Sequence, residues 1–207
     1  MRATMRRFAV LALSLVTVAL GCKPAGPKTF NPDGLTGPQI TPPLPKPEIV
    51  LTTTEGKPFD LRKDTEGYVT LLFFGYTHCP DVCPVHLANI AAALSKLSPE
   101  VNNAVKVVFI TTDPQRDTPA VMRAWLDKFD KRFIGLTGDS LALATAARLS
   151  HVGPAIREPG PTDSTYTVGH SAMVFAFTRD NLAHVVYPFG IRQADWSKDL
   201  VILTKGS

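Results

Sequence analysis

The sequence predicts an α/β domain with a mixed central sheet flanked by helices, and three observations carry that prediction. Two apolar runs of strand length, Tyr68 to Tyr76 and Val105 to Thr112, suit burial on both faces. Each is followed by apolar residues at helical spacing, the pattern of alternating strands and helices. Two later stretches, Ser171 to Thr178 and Ala183 to Tyr187, are joined by Arg179-Asp180-Asn181 and read as an antiparallel hairpin.

Taken in order, the chain opens with Arg2, Arg6 and Arg7, an apolar run from Phe8 to Leu20, and then Gly21-Cys22, the layout of a secretory leader. At about 13 residues that run is short for a membrane span, which needs roughly 20. Residues 1–21 are therefore expected to be a signal peptide, and their ending resembles a bacterial lipoprotein signal with Cys22 as the lipidated residue. Ala19 departs from that pattern, which usually carries Leu there; an uncleaved short anchor is the next reading and plain secretion the third. Either of the two leading readings holds the protein at the outward, periplasmic face of a bacterial membrane. Residues 22–47 contain eight prolines and no sustained apolar period, so they are expected to form an extended tether. Residues 48–207 are then expected to be one folded domain.

Within that domain, Ile49 to Thr53 and Pro58 to Leu61 flank Glu55-Gly56 and predict an N-terminal hairpin extension. The first buried strand, Tyr68 to Tyr76, leads into a helix marked by Leu87, Ile90, Ala91, Leu94 and Leu97. Pro84 lacks an N–H, so a regular helix is expected only from that residue. After the second buried strand, Thr118 caps a helix with Pro119 at its first position and Val121, Met122, Trp125, Leu126 and Phe129 along one face. A short strand at Phe133 to Leu136, a helix from Ser140 to Leu149, a Pro/Gly-rich loop at 151–167, the hairpin and a closing helix near Asp195 complete the series. That order is the order of a thioredoxin-like domain.

The formal charge of +4 is misleading, because three of the 22 basic residues lie in the leader and leave 19 against 18 acids. No electrostatic case for nucleic acid remains. Apart from Cys22, the cysteines are Cys79 and Cys83, four residues apart where a strand meets a helix N-terminus, which favours thiolate. Such a pair forms either a disulfide or two metal ligands. A purely structural disulfide closing so small a loop gains little chain entropy.

A transition-metal site needs a third donor. His78 adjoins Cys79 and should point elsewhere, and His184 sits on a hairpin strand with a surface role as its default. His86 continues a helical face through residues 79 and 83, whereas His170 stands at the mouth of the late hairpin, beside the helix N-terminus in such a fold. Two thiolates and one imidazole suit copper(I), hold copper(II) with an added ligand, or serve zinc. Three protein ligands instead of four favour a site that exchanges its metal.

The segments Phe74-Gly75-Tyr76-Thr77-His78-Cys79-Pro80-Asp81-Val82-Cys83-Pro84, Thr112-Asp113-Pro114-Gln115-Arg116-Asp117-Thr118-Pro119 and His170-Ser171 resemble the Sco/SenC family of copper chaperones, from about Glu48 to the C-terminus. The resemblance implies a thioredoxin-like fold that binds one copper, as Cu(I), Cu(II) or both, through Cys79, Cys83 and His170. It implies delivery to the binuclear copper site of cytochrome c oxidase subunit II, or maintenance of that site's thiols. Another extracytoplasmic copper carrier or thiol reductant would be a further partner. Gly169 departs from the acidic residue that many members carry before the histidine, which weakens any claim for an acidic fourth ligand. Asp113, Arg116 and Asp117 are candidates for a docking surface or for hydrogen bonding around the site, against the plainer reading of a capped helix start. Phe73, Phe74 and Tyr76 are expected in the core.

The chain is thus expected to be a metallochaperone and not an enzyme. The alternative is a thiol-disulfide oxidoreductase using a redox-active Cys79–Cys83 pair on extracytoplasmic cysteines. A peroxidase reading lacks the Arg/Thr surroundings it would need.

Overall fold

Strand β4 (Val69–Gly75) is buried along its whole length and lies inside an eight-stranded sheet of the computed structural model, which describes residues 34–162 and 165–206. The expected leader and Cys22 lie outside the described residues. On one side of β4 come β9 (Val174–Phe177), β10 (Leu182–Tyr187) and the edge strand β1 (Gln39–Pro45). On the other come β5 (Val105–Thr111), β6 (Ile134–Thr137), β2 (Val50–Thr53) and β3 (Pro58–Asp60).

Strands β4, β5 and β6 are mutually parallel, while β9 runs antiparallel to β4 with Val174 opposite Phe73. The C-terminal ends of β4 and β5 therefore share one sheet edge with the N-terminal end of β9. The chain entering β9, which includes His170, must arrive where β4 delivers the chain to the cysteines.

The alternation of β4 explains its unbroken apolar run. Leu71 and Phe73 face one core with α1 (Val82–Leu94), α3 (Pro119–Leu126) and α5 (Gln193–Lys205). Leu72 and Phe74 face the other, with α4 (Ser140–Leu149) and the β2–β3 hairpin. Helices on both faces of a mixed sheet, with the N-terminal hairpin, match the expected arrangement. Thr118 and Asp139 cap α3 and α4 by accepting the N–H groups of Val121 and Ala142.

Three expectations need correction. Helix α1 begins at Val82, two residues before Pro84, because a proline in the first turn gives up an N–H that has no intrahelical partner anyway. The loop at 151–167 contains β7 (Ile156–Glu158), which pairs with β8 (Thr167–Gly169), and a short α2 (Pro99–Asn103) precedes β5. Most substantially, the described part of the expected tether is folded. Strand β1 pairs with β10, Leu35 is buried in the core, and the Lys46 N–H donates to the Asn181 carbonyl at 2.7 Å. Proline is tolerated there because an edge strand leaves some of its N–H positions unpaired. Asp199, fully buried on α5, accepts the Thr36 N–H at 2.6 Å, the Thr36 hydroxyl at 3.1 Å and the Tyr187 hydroxyl at 3.0 Å. Among the described residues no helix is long and apolar enough to cross a membrane.

Candidate metal centre

Beyond Gly75 the chain turns sharply, with the Cys79 N–H donating to the Tyr76 carbonyl at 3.2 Å, and re-enters regular structure at α1. Cys83 is the second residue of that helix, and its N–H donates to the Cys79 Sγ at 3.4 Å. Cys79 is half-buried, Cys83 is buried, and no disulfide joins them. The two sulfurs and a ring nitrogen of His170 all lie within 4.8 Å of one another.

His170 is oriented by its own backbone. Its Nδ1 stands 2.9 Å from the Ser171 carbonyl, which can only accept, so Nδ1 carries the proton. The Nε2 lone pair is then free toward the Cys83 Sγ, 3.4 Å away. A carbonyl that fixes the far nitrogen of an imidazole is the usual support of a metal-binding histidine. Tyr76 packs edge-on against the ring, with centroids 5.5 Å apart.

The other histidines are elsewhere. His86 is buried and points its Nε2 at the Ala172 carbonyl, 3.0 Å away, not at the sulfurs. His78 is half-exposed against Thr77, and His184 pairs with Asp180 at 2.8 Å on the surface.

The two thiols are electrostatically unequal. The Cys83 side chain donates to Cys79, and together with the Cys83 N–H it holds the Cys79 thiol down at about 3. Burial, followed by its bond to Cys79 and the adjacent thiolate charge, pushes the Cys83 thiol well up. In the metal-free protein the pair therefore carries one negative charge, on the more accessible sulfur at the helix N-terminus.

Asp113 and Asp117 are 4% and 0% exposed, which removes them from any docking surface. Asp117 accepts from the Thr77 N–H, from the Thr77 hydroxyl at 2.6 Å and from the Thr111 hydroxyl at 2.8 Å, tying the turn before Cys79 to the end of β5. Burial raises its carboxyl above the usual range. Asp113 pairs with Arg116 and accepts the Tyr166 hydroxyl at 2.7 Å. The Arg116 guanidinium lies 3.6 Å over the Tyr166 ring and donates to the Tyr166 carbonyl at 2.9 Å. These residues brace the loops around the site.

Sequence reasoning missed Gly75, Thr77 and Tyr166 as parts of the site. Only Gly75 left a signal, since a glycine inside a strand pattern marks close approach of another group. The site opens beside a largely apolar cleft of about 720 Å³, whose lining includes Phe74, Thr111, Leu143, His151 and His170.

Residues 41–204 match the SCO1/SenC family. The mouse SCO2 homolog, a mitochondrial protein, is 37% identical over 122 residues, which cover 58% of this chain and 48% of that protein. The chain thus spans about half the length of the curated relatives it matches. The structure of Bradyrhizobium japonicum ScoI with copper bound superposes with a TM-score of 0.69 at 34% identity, covering 77% of this chain and 99% of that one. Yeast Sco1 with copper bound gives a TM-score of 0.69 at 26% identity, covering 79% and 90%. These neighbours share the thioredoxin-like fold. Because the family match runs from within β1 almost to the end of α5, taking in nearly the whole folded unit and all three site residues, the chain belongs to the SCO1/SenC family.

Proposed function

We propose that this protein is a copper metallochaperone that holds one copper ion through Cys79, Cys83 and His170. The observation that supports this most directly is the convergence of two sulfurs and an imidazole nitrogen within 4.8 Å. The donor set is soft, which suits copper(I), and leaves room for an added ligand with copper(II). The copper-bound Bradyrhizobium and yeast relatives favour the same cargo. The recipient we propose is the binuclear copper site of cytochrome c oxidase subunit II, in keeping with the family resemblance. Release proceeds by ligand exchange: partner thiolates replace the half-buried Cys79 first and the buried Cys83 last. We place the domain at an extracytoplasmic membrane surface, anchored through a lipid on Cys22 or through a short N-terminal anchor.

The test is copper loading followed by mixing with the metal-free copper domain of subunit II. One copper per chain is expected, with a thiolate-to-copper charge-transfer band that disappears in Cys79→Ala and Cys83→Ala and weakens in His170→Ala. Wild-type loading in either cysteine variant would overturn the proposal.

The unbridged pair with one thiolate also supports a second reading, reduction of a partner disulfide. The Cys79 thiolate attacks one partner sulfur and releases the other as a thiolate. Cys83 then gives up its proton and attacks the Cys79 sulfur, expelling the partner sulfur bound to it and leaving a Cys79–Cys83 disulfide and two reduced partner cysteines. Turnover on an oxidised subunit II fragment without copper, unchanged in His170→Ala, would favour this reading.

A further inference from the structure

His86 sits three residues beyond Cys83, one turn along α1, and is 2% exposed. Its ring is held between Phe73, at a centroid distance of 5.2 Å, and Phe189, at 5.6 Å. The ring has one polar contact to the rest of the fold among the hydrogen bonds described: Nε2 lies 3.0 Å from the Ala172 carbonyl, 86 residues away in the chain. The carbonyl accepts, so Nε2 carries the proton.

The far end of that bond matters because of where Ala172 lies. Residues 170–173 form the connection between β8 and β9 and belong to neither ladder. This connection carries His170, whose ring reaches the cysteines only if the backbone beneath it is held. Ser171 is engaged locally, its carbonyl by His170 and its hydroxyl by the Met173 N–H at 3.3 Å. Those bonds shape the connection but do not tie it to α1. The His86 bond does, and it runs from the same helical turn that presents Cys83.

We infer that His86 is a positioning residue for the metal site, a strut from α1 that fixes the 170–173 connection and so sets the distance between His170 and the two sulfurs. This rests on the reading of His170 as a ligand. His86 touches neither the cargo nor the reacting atoms in this role. It makes the third donor available at a fixed place instead of leaving it on an untied loop, and supporting residues of this kind are typically worth 10- to 100-fold in metal affinity.

The experiment is a double-mutant cycle with copper(I), using a chromophoric chelator as competitor, on wild type, His86→Leu, His170→Ala and the double variant. His86→Leu should weaken copper(I) binding at least tenfold, and His86→Gln, which keeps an N–H donor, should recover most of that loss. In the His170→Ala background, His86→Leu should have little further effect, because a strut has nothing to position once the imidazole is gone. A second measurement needs no variant: in the metal-free wild type, the amides of residues 171–173 should exchange at least tenfold more slowly than those of an unstructured peptide. Wild-type affinity in His86→Leu, losses that add in full in the double variant, or unprotected exchange at 171–173 would each overturn the inference. If His170→Ala weakens binding and His86→Leu does not, only the strut fails. If His170→Ala itself costs nothing, the ligand reading fails and takes the strut with it.

Discussion

Gly75 has no side chain at the one point on β4 where a β-carbon would stand 2.6 Å from the Cys83 Sγ and 2.8 Å from the Phe109 ring. The last residue of the strand therefore yields its space to the buried sulfur. Gly75→Ala is expected to lower stability by about 1–3 kcal/mol through overpacking. It should also displace Cys83 and weaken copper binding more than an alanine elsewhere on β4 would. Thermal unfolding together with copper titration checks this, and unchanged copper affinity would contradict it.

The unequal thiols predict selective chemistry. Cys79, held down at about 3, stays ionised from pH 5 to 8, whereas the buried Cys83 remains protonated. Iodoacetamide should label Cys79 alone in the native metal-free protein, at a rate nearly flat across that range. An ordinary thiol would react about tenfold more slowly for each pH unit below its pKa near 8.5. Mass spectrometry of the labelled chain after quenching distinguishes the two.

Removing residues 1–47 should damage the domain, although composition marks much of that stretch as a tether. The cut takes away β1, the buried Leu35 and the donors that Thr36 offers to Asp199. A chain beginning at Glu48 is expected to melt lower than one beginning at Gly34 by about 10 °C, on the order of 4 kcal/mol. Asp199→Ala in the full chain should reproduce part of that loss. Equal melting temperatures would refute the assignment of residues 34–47 to the fold.

Lys46 is buried, and its amine is held by the Thr65 hydroxyl at 2.9 Å and the Thr70 hydroxyl at 3.1 Å. Burial brings its pKa down from 10.5 to about 8. The unfolded chain therefore holds a proton between pH 8 and 10.5 that the folded chain has released, so this residue makes stability rise with pH across that window. Below pH 8 both states are protonated and the cost of burying the charge is fully present. Lys46→Met should be more stable than wild type at pH 7, and the advantage should shrink toward pH 10. Urea unfolding at several pH values provides the comparison.

The fold was legible where burial and chain pattern coincide. The runs that became β4 and β5 are apolar because both faces are covered, and Ser140 to Leu149 became α4 with the same limits. The two cysteines were legible as a pair from spacing alone. His170 followed from the antiparallel order of β4 and β9, while the spacing that made His86 attractive was defeated by the direction of its ring. The prolines before residue 48 misled because composition does not reveal which strand lies at an edge, where missing N–H groups are harmless. Asp113, Arg116 and Asp117 were legible as candidates for hydrogen bonding around the site, but their partners Thr77 and Tyr166 were not, because the bonds join residues up to 53 positions apart through side chains that are common in loops.

The clasp of Asp199 on Thr36 has a mechanical consequence. Tension arriving along the chain from residues before Gly34 meets the Lys198 bond to the Gly34 carbonyl, the buried Leu35 and this carboxylate before it reaches the β1–β10 ladder. Strands β10 and β9 separate β1 from β4. A domain tugged from its N-terminus would peel at its margin while the spacing of its sulfurs stayed unaltered.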